Sequence, residues 1–205
     1  MSNVATEQMP FQRAAFIFTA VKKEVFLETP RLLLRNWMPA DHEPYIALNA
    51  DKDVMEFFPS VKTVEETLEQ IQRLQGHIDQ YGYGFFAVER KDNGKFIGFN
   101  GIAHPGFVAE FTPCVEIGWR LSKENWGQGF ATEAAVACLD FGFSQLGLDE
   151  IYSFTAVPNI RSEKVMQKLG MVKEGYFDHP VMEDGHWLKK HVLYRISNPG
   201  LSKTS

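Results

Sequence analysis

Residues 125–134 read Asn-Trp-Gly-Gln-Gly-Phe-Ala-Thr-Glu-Ala, and the fold turns on this stretch. Just before it, Cys114-Val-Glu-Ile-Gly-Trp-Arg-Leu121 has the composition of a strand. Just after it, Ala131, Ala135, Cys138, Leu139, Phe143 and Leu146 recur at helical spacing. The order is therefore strand, glycine-containing turn, helix. Free N–H groups at a helix start point outward and carry the positive end of the helix dipole. Glycines let that backbone approach an anion without a side chain in the way. Two readings follow: a tight turn that binds nothing, or a phosphate cradle.

The residues around the glycines narrow the kind of cradle. A P-loop needs a Lys and a Ser or Thr directly after its last glycine. Here Gly129 is followed by Phe130-Ala131, and the turn holds no Lys. A dinucleotide fingerprint belongs to the first strand–helix unit of its domain. This motif lies past the middle of the 205-residue chain.

What remains, Trp126-Gly-Gln-Gly-Phe-Ala131, resembles the Q/R-x-x-G-x-G/A loop of the GNAT acyl-CoA N-acyltransferases. The resemblance extends over roughly residues 28–196 and is most like the RimJ/RimL branch, which acetylates ribosomal-protein N-termini among other amines. It is carried by Glu28-Thr-Pro-Arg-Leu-Leu-Leu-Arg35, Trp126 to Ala134, Asn159-Ile-Arg-Ser162, Lys168 to Gly175 and His191 to Ile196. Each motif is weak alone; five in order are strong. The resemblance implies an α/β fold: a mixed sheet of about seven strands with a central splay, and about four helices. It also implies acetyl-CoA as co-substrate, with an amine as acceptor on a small molecule or a protein N-terminus.

The site residues carried over are these. Gly127, Gln128, Gly129, Phe130, Ala131 and Thr132 would hold the pyrophosphate of coenzyme A, with Trp126 at a position that is Gln or Arg elsewhere in the superfamily. Ile117, Trp119 and Leu121 would lie along the pantetheine arm, where a backbone N–H could polarise the thioester oxygen. Asn159 would meet the pantetheine amides. Glu116 is the first candidate for the base that takes the amine proton, against a purely orienting role. His179 and His186 are fallback bases. Many superfamily members place a tyrosine on the helix after Asn159 to receive the thiolate; the matching position here is Met166, which leaves Ser162 or water. Ser162 reads equally as a first-turn hydroxyl.

Composition bounds the rest. At this length the chain is one domain, or one domain with an extension. We read an N-terminal extension over residues 1–27, the catalytic-type domain over 28–197 and a tail over 198–205. The formal charge is −5 and no long basic run occurs, so nucleic acid is not expected as a direct partner. The acidity fits a cationic substrate, or simply a soluble cytoplasmic protein. Cys114 and Cys138 read as small buried hydrophobes, and the six histidines show no metal-ligand spacing. The apolar run Phe11 to Val21 is too short to span a bilayer and lacks the form of a signal peptide. It would pack on its own domain or on a second copy in a homodimer. Two readings from other classes stay open: a CoA-binding regulatory domain without turnover, and a generic phosphate-binding module.

Overall fold

The computed structural model describes residues 21–200. Most of the apolar extension therefore lies outside the described residues. The chain runs β1 (Val25–Glu28), β2 (Leu32–Arg35), a 3-10 turn (Pro39–Asp41), α1 (His42–Ala50), α2 (Val64–Tyr81), β3 (Phe85–Arg90) and β4 (Phe96–Ala103). It continues with β5 (Glu116–Leu121), a second 3-10 turn (Lys123–Asn125), α3 (Phe130–Ser144), β6 (Glu150–Ala156), α4 (Ile160–Lys168), β7 (Val172–Asp178) and β8 (Lys190–Ser197).

Local chemistry accounts for several boundaries. Thr63 and Glu66 close a capping box at the start of α2: Glu66 N donates to Thr63 Oγ1 at 3.2 Å, and Thr63 N donates to Glu66 Oε2 at 2.8 Å. Gly82, at φ 76°, ends that helix in the left-handed region. The β3–β4 hairpin turns through Asn93-Gly94, as its Asn-Gly pair predicts.

The strands form one sheet of eight, ordered β1-β2-β3-β4-β5-β6-β8-β7. Every pair is antiparallel except β5 with β6. That is one strand more than the seven expected, and the addition is β1. Its four residues pair with β2, so the domain boundary read at Glu28 falls on the last residue of this strand. β2 falls within the Glu28–Arg35 motif, and the His191–Ile196 motif lies inside β8.

Two faces follow from the register. On β5, Glu116, Gly118 and Arg120 share one face and Ile117, Trp119 and Leu121 the other. Arg120 donates to Asn49 of α1, and Phe85 and Phe99 lie beside Gly118 and Arg120, so α1 and α2 cover the first face. Asn100, opposite Trp119, donates to the Ala131 carbonyl, so α3 covers the second. The core runs through both layers, with Leu32, Phe86, Ile102, Ile117, Ala134 and Ile151 almost fully buried.

Candidate active site

Beyond Glu116 opposite Tyr152, β5 and β6 share no register pair: the two strands part. Ser153 Oγ still reaches across to the Ile117 carbonyl at 2.9 Å. Four residues on, Trp126 Nε1 donates to the Leu121 carbonyl at 2.8 Å. Alternation puts the N–H and C=O of Ile117, Trp119 and Leu121 on the edge that faces the gap. The Trp119 backbone lies between the two occupied carbonyls with no strand opposite it. A groove of about 720 Å³ passes through this opening, from the α3 and α4 side to the α1 and α2 side.

On the α3 side the groove ends at the glycine turn. Gly127 and Gly129 take φ values of 72° and 83°, which side chains adopt only with strain. A Cβ on Gly127 would meet nothing within 4 Å, so the backbone there is open to the groove. The first helical bond of α3 is Glu133 N to the Gly129 carbonyl, which leaves the N–H groups of Phe130, Ala131 and Thr132 unbonded within the helix. Glu133 anchors the turn from behind through Thr29 Oγ1 at 2.6 Å and Arg31 N at 2.9 Å. Open glycines, free N–H groups and a fifteen-residue helix dipole fit a phosphate group well.

Gln128 differs from expectation. Its Nε2 folds back to the Glu124 carbonyl at 2.8 Å and its own carbonyl accepts from Arg31, so its side chain does not face the groove. The remaining expected residues of the loop do line the groove, as do Ile117, Trp119, Leu121, Asn159 and Ser162. Asn159 caps α4: Oδ1 accepts from Ser162 N at 3.2 Å and Nδ2 donates to Thr155 Oγ1 at 2.9 Å. Met166 is fully buried on the inner side of α4 and does not reach the groove. Ser162 and Val165, one turn apart on α4, line the groove together with Arg161, Lys164 and Lys168. The position that matches the family's tyrosine therefore lies in the core and not in the groove lining.

Glu116 stands where the strands part. Its carboxylate has neither an ion pair nor a hydrogen bond among the described residues, and burial alone pushes its pKa up to about 8. His179 also lines the groove, but burial and the neighbouring His191 push it down to about 4, leaving it neutral. Its ring packs 4.7 Å from that of His191 and 4.6 Å from that of Phe107. His186 lies outside the groove lining, with Nδ1 accepting from Leu188 N at 3.1 Å. Cys114 is held as a thiol, its pKa raised to about 11 by burial and nearby Glu116, and neither cysteine lines the groove.

Three groove features were not singled out from the sequence. His191, on β8, enters the lining only because β8 pairs with β6. Arg161 stacks over Trp126 at 4.6 Å and bonds Glu56 at 2.6 Å, which ties α4 to the 51–62 connection across the opening. Arg120 lies buried at the far end. Against one carboxylate, Glu116, the lining sets Arg120, Arg161, Lys164 and Lys168, so the groove is cationic in a protein of net charge −5. Strand alternation from Glu116 could have found Arg120; the other two depend on pairings no local pattern encodes.

The model of the acetyltransferase (GNAT) domain matches residues 31–172, more than half of the chain. The chain is a GNAT acetyltransferase. It is similar to an uncharacterized N-acetyltransferase, YoaA, of Bacillus subtilis, with 29% identity over 84% of this chain and 97% of the relative. Its fold matches a GNAT-family acetyltransferase from Bacillus anthracis at TM-score 0.70, with 29% identity over 84% of this chain and 98% of that one. It also shares the fold of a Vibrio cholerae spermidine N-acetyltransferase solved with CoA and spermine, at TM-score 0.63 and 23% identity over 82% and 95% of the two chains. Acetyl-CoA is the acetyl donor of this family. Among the described residues of the acetyltransferase, no helix is long and apolar enough to cross a membrane.

Proposed function

We propose that the enzyme transfers acetyl directly from acetyl-CoA to the primary amine of a small acceptor, with Glu116 as the base. The observation that carries this reading is the unpaired Glu116 carboxylate, at a pKa of about 8, where β5 and β6 part. A primary alkylamine has a reference pKa of about 10.4, as in lysine, so it arrives charged near neutral pH and must give its proton to a base such as the Glu116 carboxylate. Binding of the ammonium form would favour the carboxylate by opposite charge.

The donor supplies an acetyl thioester. The backbone between Gly127 and Thr132 would hold its pyrophosphate, the exposed Ile117–Leu121 edge its pantetheine arm, and Arg161 and the α4 lysines its negative charge. Trp119 N–H would aim at the thioester oxygen. Ser162 would steady the thiolate by a hydrogen bond, since an alcohol is too weak an acid to protonate it outright. No cysteine lines the groove, which supports direct transfer over an acyl-enzyme.

A small acceptor is favoured over a folded protein because the opening is bridged on the α1 and α2 side. Phe57 packs on Trp187 with centroids 6.2 Å apart, and Arg161 joins Glu56 beside them. A peptide N-terminus is the second reading, supported by the RimJ/RimL-like Trp126 to Ala134 motif. A polyamine fits less well, because on the face of β5 that carries Glu116 the lining has one carboxylate, Glu116, and sets the buried Arg120 against a second cation.

Thiol release from acetyl-CoA, followed with a panel of monoamines, polyamines and short peptides, tests the reading. Monoamines should be acetylated and polyamines poorly or not at all. Tight CoA binding with no thiol release on any amine would leave the regulatory, non-catalytic reading.

A further inference from the structure

Arg120 has a chemistry that acetyl transfer to a bare amine leaves unused. It is 7% exposed and lies in the groove lining on the face of β5 that carries Glu116. An arginine keeps its proton even when buried. No carboxylate pairs with it among the described residues, and burial works against its charge. Of its N–H groups only Nη1 is engaged, with Asn49 Oδ1 at 2.7 Å. Nε is buried with no hydrogen-bond partner. The Tyr45 hydroxyl, near enough to interact with this charge, is orphaned as well. Phe58 stacks on the guanidinium at 3.9 Å and Phe99 lies 5.4 Å away. Aromatic faces satisfy the plane of a guanidinium; they leave its N–H edge unmet. A buried cation without an anion is costly and is retained where something else completes it. The side edge of a guanidinium is the geometry that receives a carboxylate in two parallel bonds.

We propose that the acceptor is an amine that also carries a carboxylate, and that Arg120 receives that carboxylate while the amine lies at Glu116. The proposal rests on the acetyl-transfer reading for the amine end alone. Four residues along one strand separate the two Cα atoms by about 13 Å. Both side chains leave the same face of β5, so amine and carboxylate must stand several atoms apart in the acceptor. That describes an ω-amino acid and excludes an α-amino acid, whose two groups share one carbon. The wall between the two charges is apolar, built from Phe58, Leu74 and Phe85, and suits the connecting chain.

Binding and turnover are read separately. Calorimetry on the full-length protein with CoA present compares aminohexanoate, its amide and hexanediamine. A hydrogen-bonded charge contact of this kind corresponds to roughly a ten- to hundredfold affinity difference. Aminohexanoate should bind that much more tightly than its amide, and Arg120→Gln should remove the difference while leaving CoA affinity unchanged. Equal binding of acid and amide to the wild-type protein overturns the proposal, without any variant having to fold. So does a preference that survives in a folded Arg120→Gln. Thiol release with the same compounds tests the other reading. Selective binding without acetylation retains the carboxylate site and discards the transfer reaction. Acetylation of acid, amide and diamine alike, with equal binding, does the reverse.

Discussion

Arg35 on β2 and Arg120 on β5 are both buried in one sheet, at 4% and 7% exposure, and are treated in opposite ways. Arg35 is saturated. It makes two bonds to Asp41, at 2.6 and 2.8 Å, one to Glu89 at 2.7 Å and one to the Asn36 carbonyl at 2.9 Å. Despite burial, these partners raise its pKa, and Lys23 closes the cluster through Glu89 at 2.6 Å. Among the described residues, Arg120 has one neutral partner and a lowered pKa, and Glu116 on the same strand face has no partner. A buried charge with a complete shell is part of the scaffold. A buried charge with an empty shell in a groove is a place for something else to bind.

The largest effect should come from the empty-shelled group nearest the chemistry. Glu116→Gln keeps size and removes the proton acceptor, so turnover at pH 7 should fall roughly 10²–10⁴-fold with CoA affinity retained. The deficit should narrow as pH rises and free amine accumulates. A pH–rate profile parallel to the wild type would give Glu116 an orienting role.

The saturated cluster should fail in the opposite currency. Asp41→Ala removes two of the four bonds to the buried Arg35 guanidinium, leaving Glu89 and the Asn36 carbonyl, and should cost about 3 kcal/mol in urea unfolding. Its effect on acceptor discrimination in the surviving folded protein should be small. Arg120→Gln, which removes an incompletely partnered charge, should cost far less stability. Similar losses in the two variants would erase the distinction between them.

Glu116 also ties stability to pH. Its folded pKa of about 8 lies above the ordinary carboxylate value, so the native state holds a proton that the unfolded chain releases between those two values. Stability from this group therefore falls as pH rises through that window. Glu116→Gln should melt close to wild type at pH 5 and above it at pH 9, with a gain of up to a few kcal/mol. A constant difference across that range would show that the carboxylate is not desolvated.

The smallest effect belongs to Ser162. Ser162→Ala should slow single-turnover acetyl transfer less than about 10²-fold, because a hydrogen bond to the thiolate is all it can offer. A larger loss with intact CoA binding would make it a true acid.

The sequence and the structure agree where the signal is local. The Thr63–Glu66 box, the Asn93-Gly94 turn and the strand–glycine–helix order around Gly129 are each written within a few neighbouring residues. They diverge where the partner is distant. β1 has four residues, none of them buried, and its pairing with β2 makes it a strand. Met166 matched a family position, yet the phase of α4 turns it into the core and brings Val165 to the groove. Net charge alone does not separate a cationic substrate from an ordinary acidic protein; the charges that bear on binding are those the fold gathers around one opening. Arg120 was in plain view inside the deciding strand. Its meaning lay in the absence of a carboxylate near it, which no stretch of sequence displays.

The position of Trp126 has one more consequence. Of the four tryptophans, Trp119 and Trp126 line the groove, Trp187 stands on Phe57 beside it, and Trp37 is sealed in the core, 3% exposed. Indole emission shifts with the polarity and charge around the ring, and the Trp126 ring carries the Arg161 guanidinium on its face. A phosphate that drew Arg161 away would strip that charge from the ring, while Trp37 kept its signal. The protein thus carries its own optical readout of groove occupancy, with an internal baseline and no need for a label.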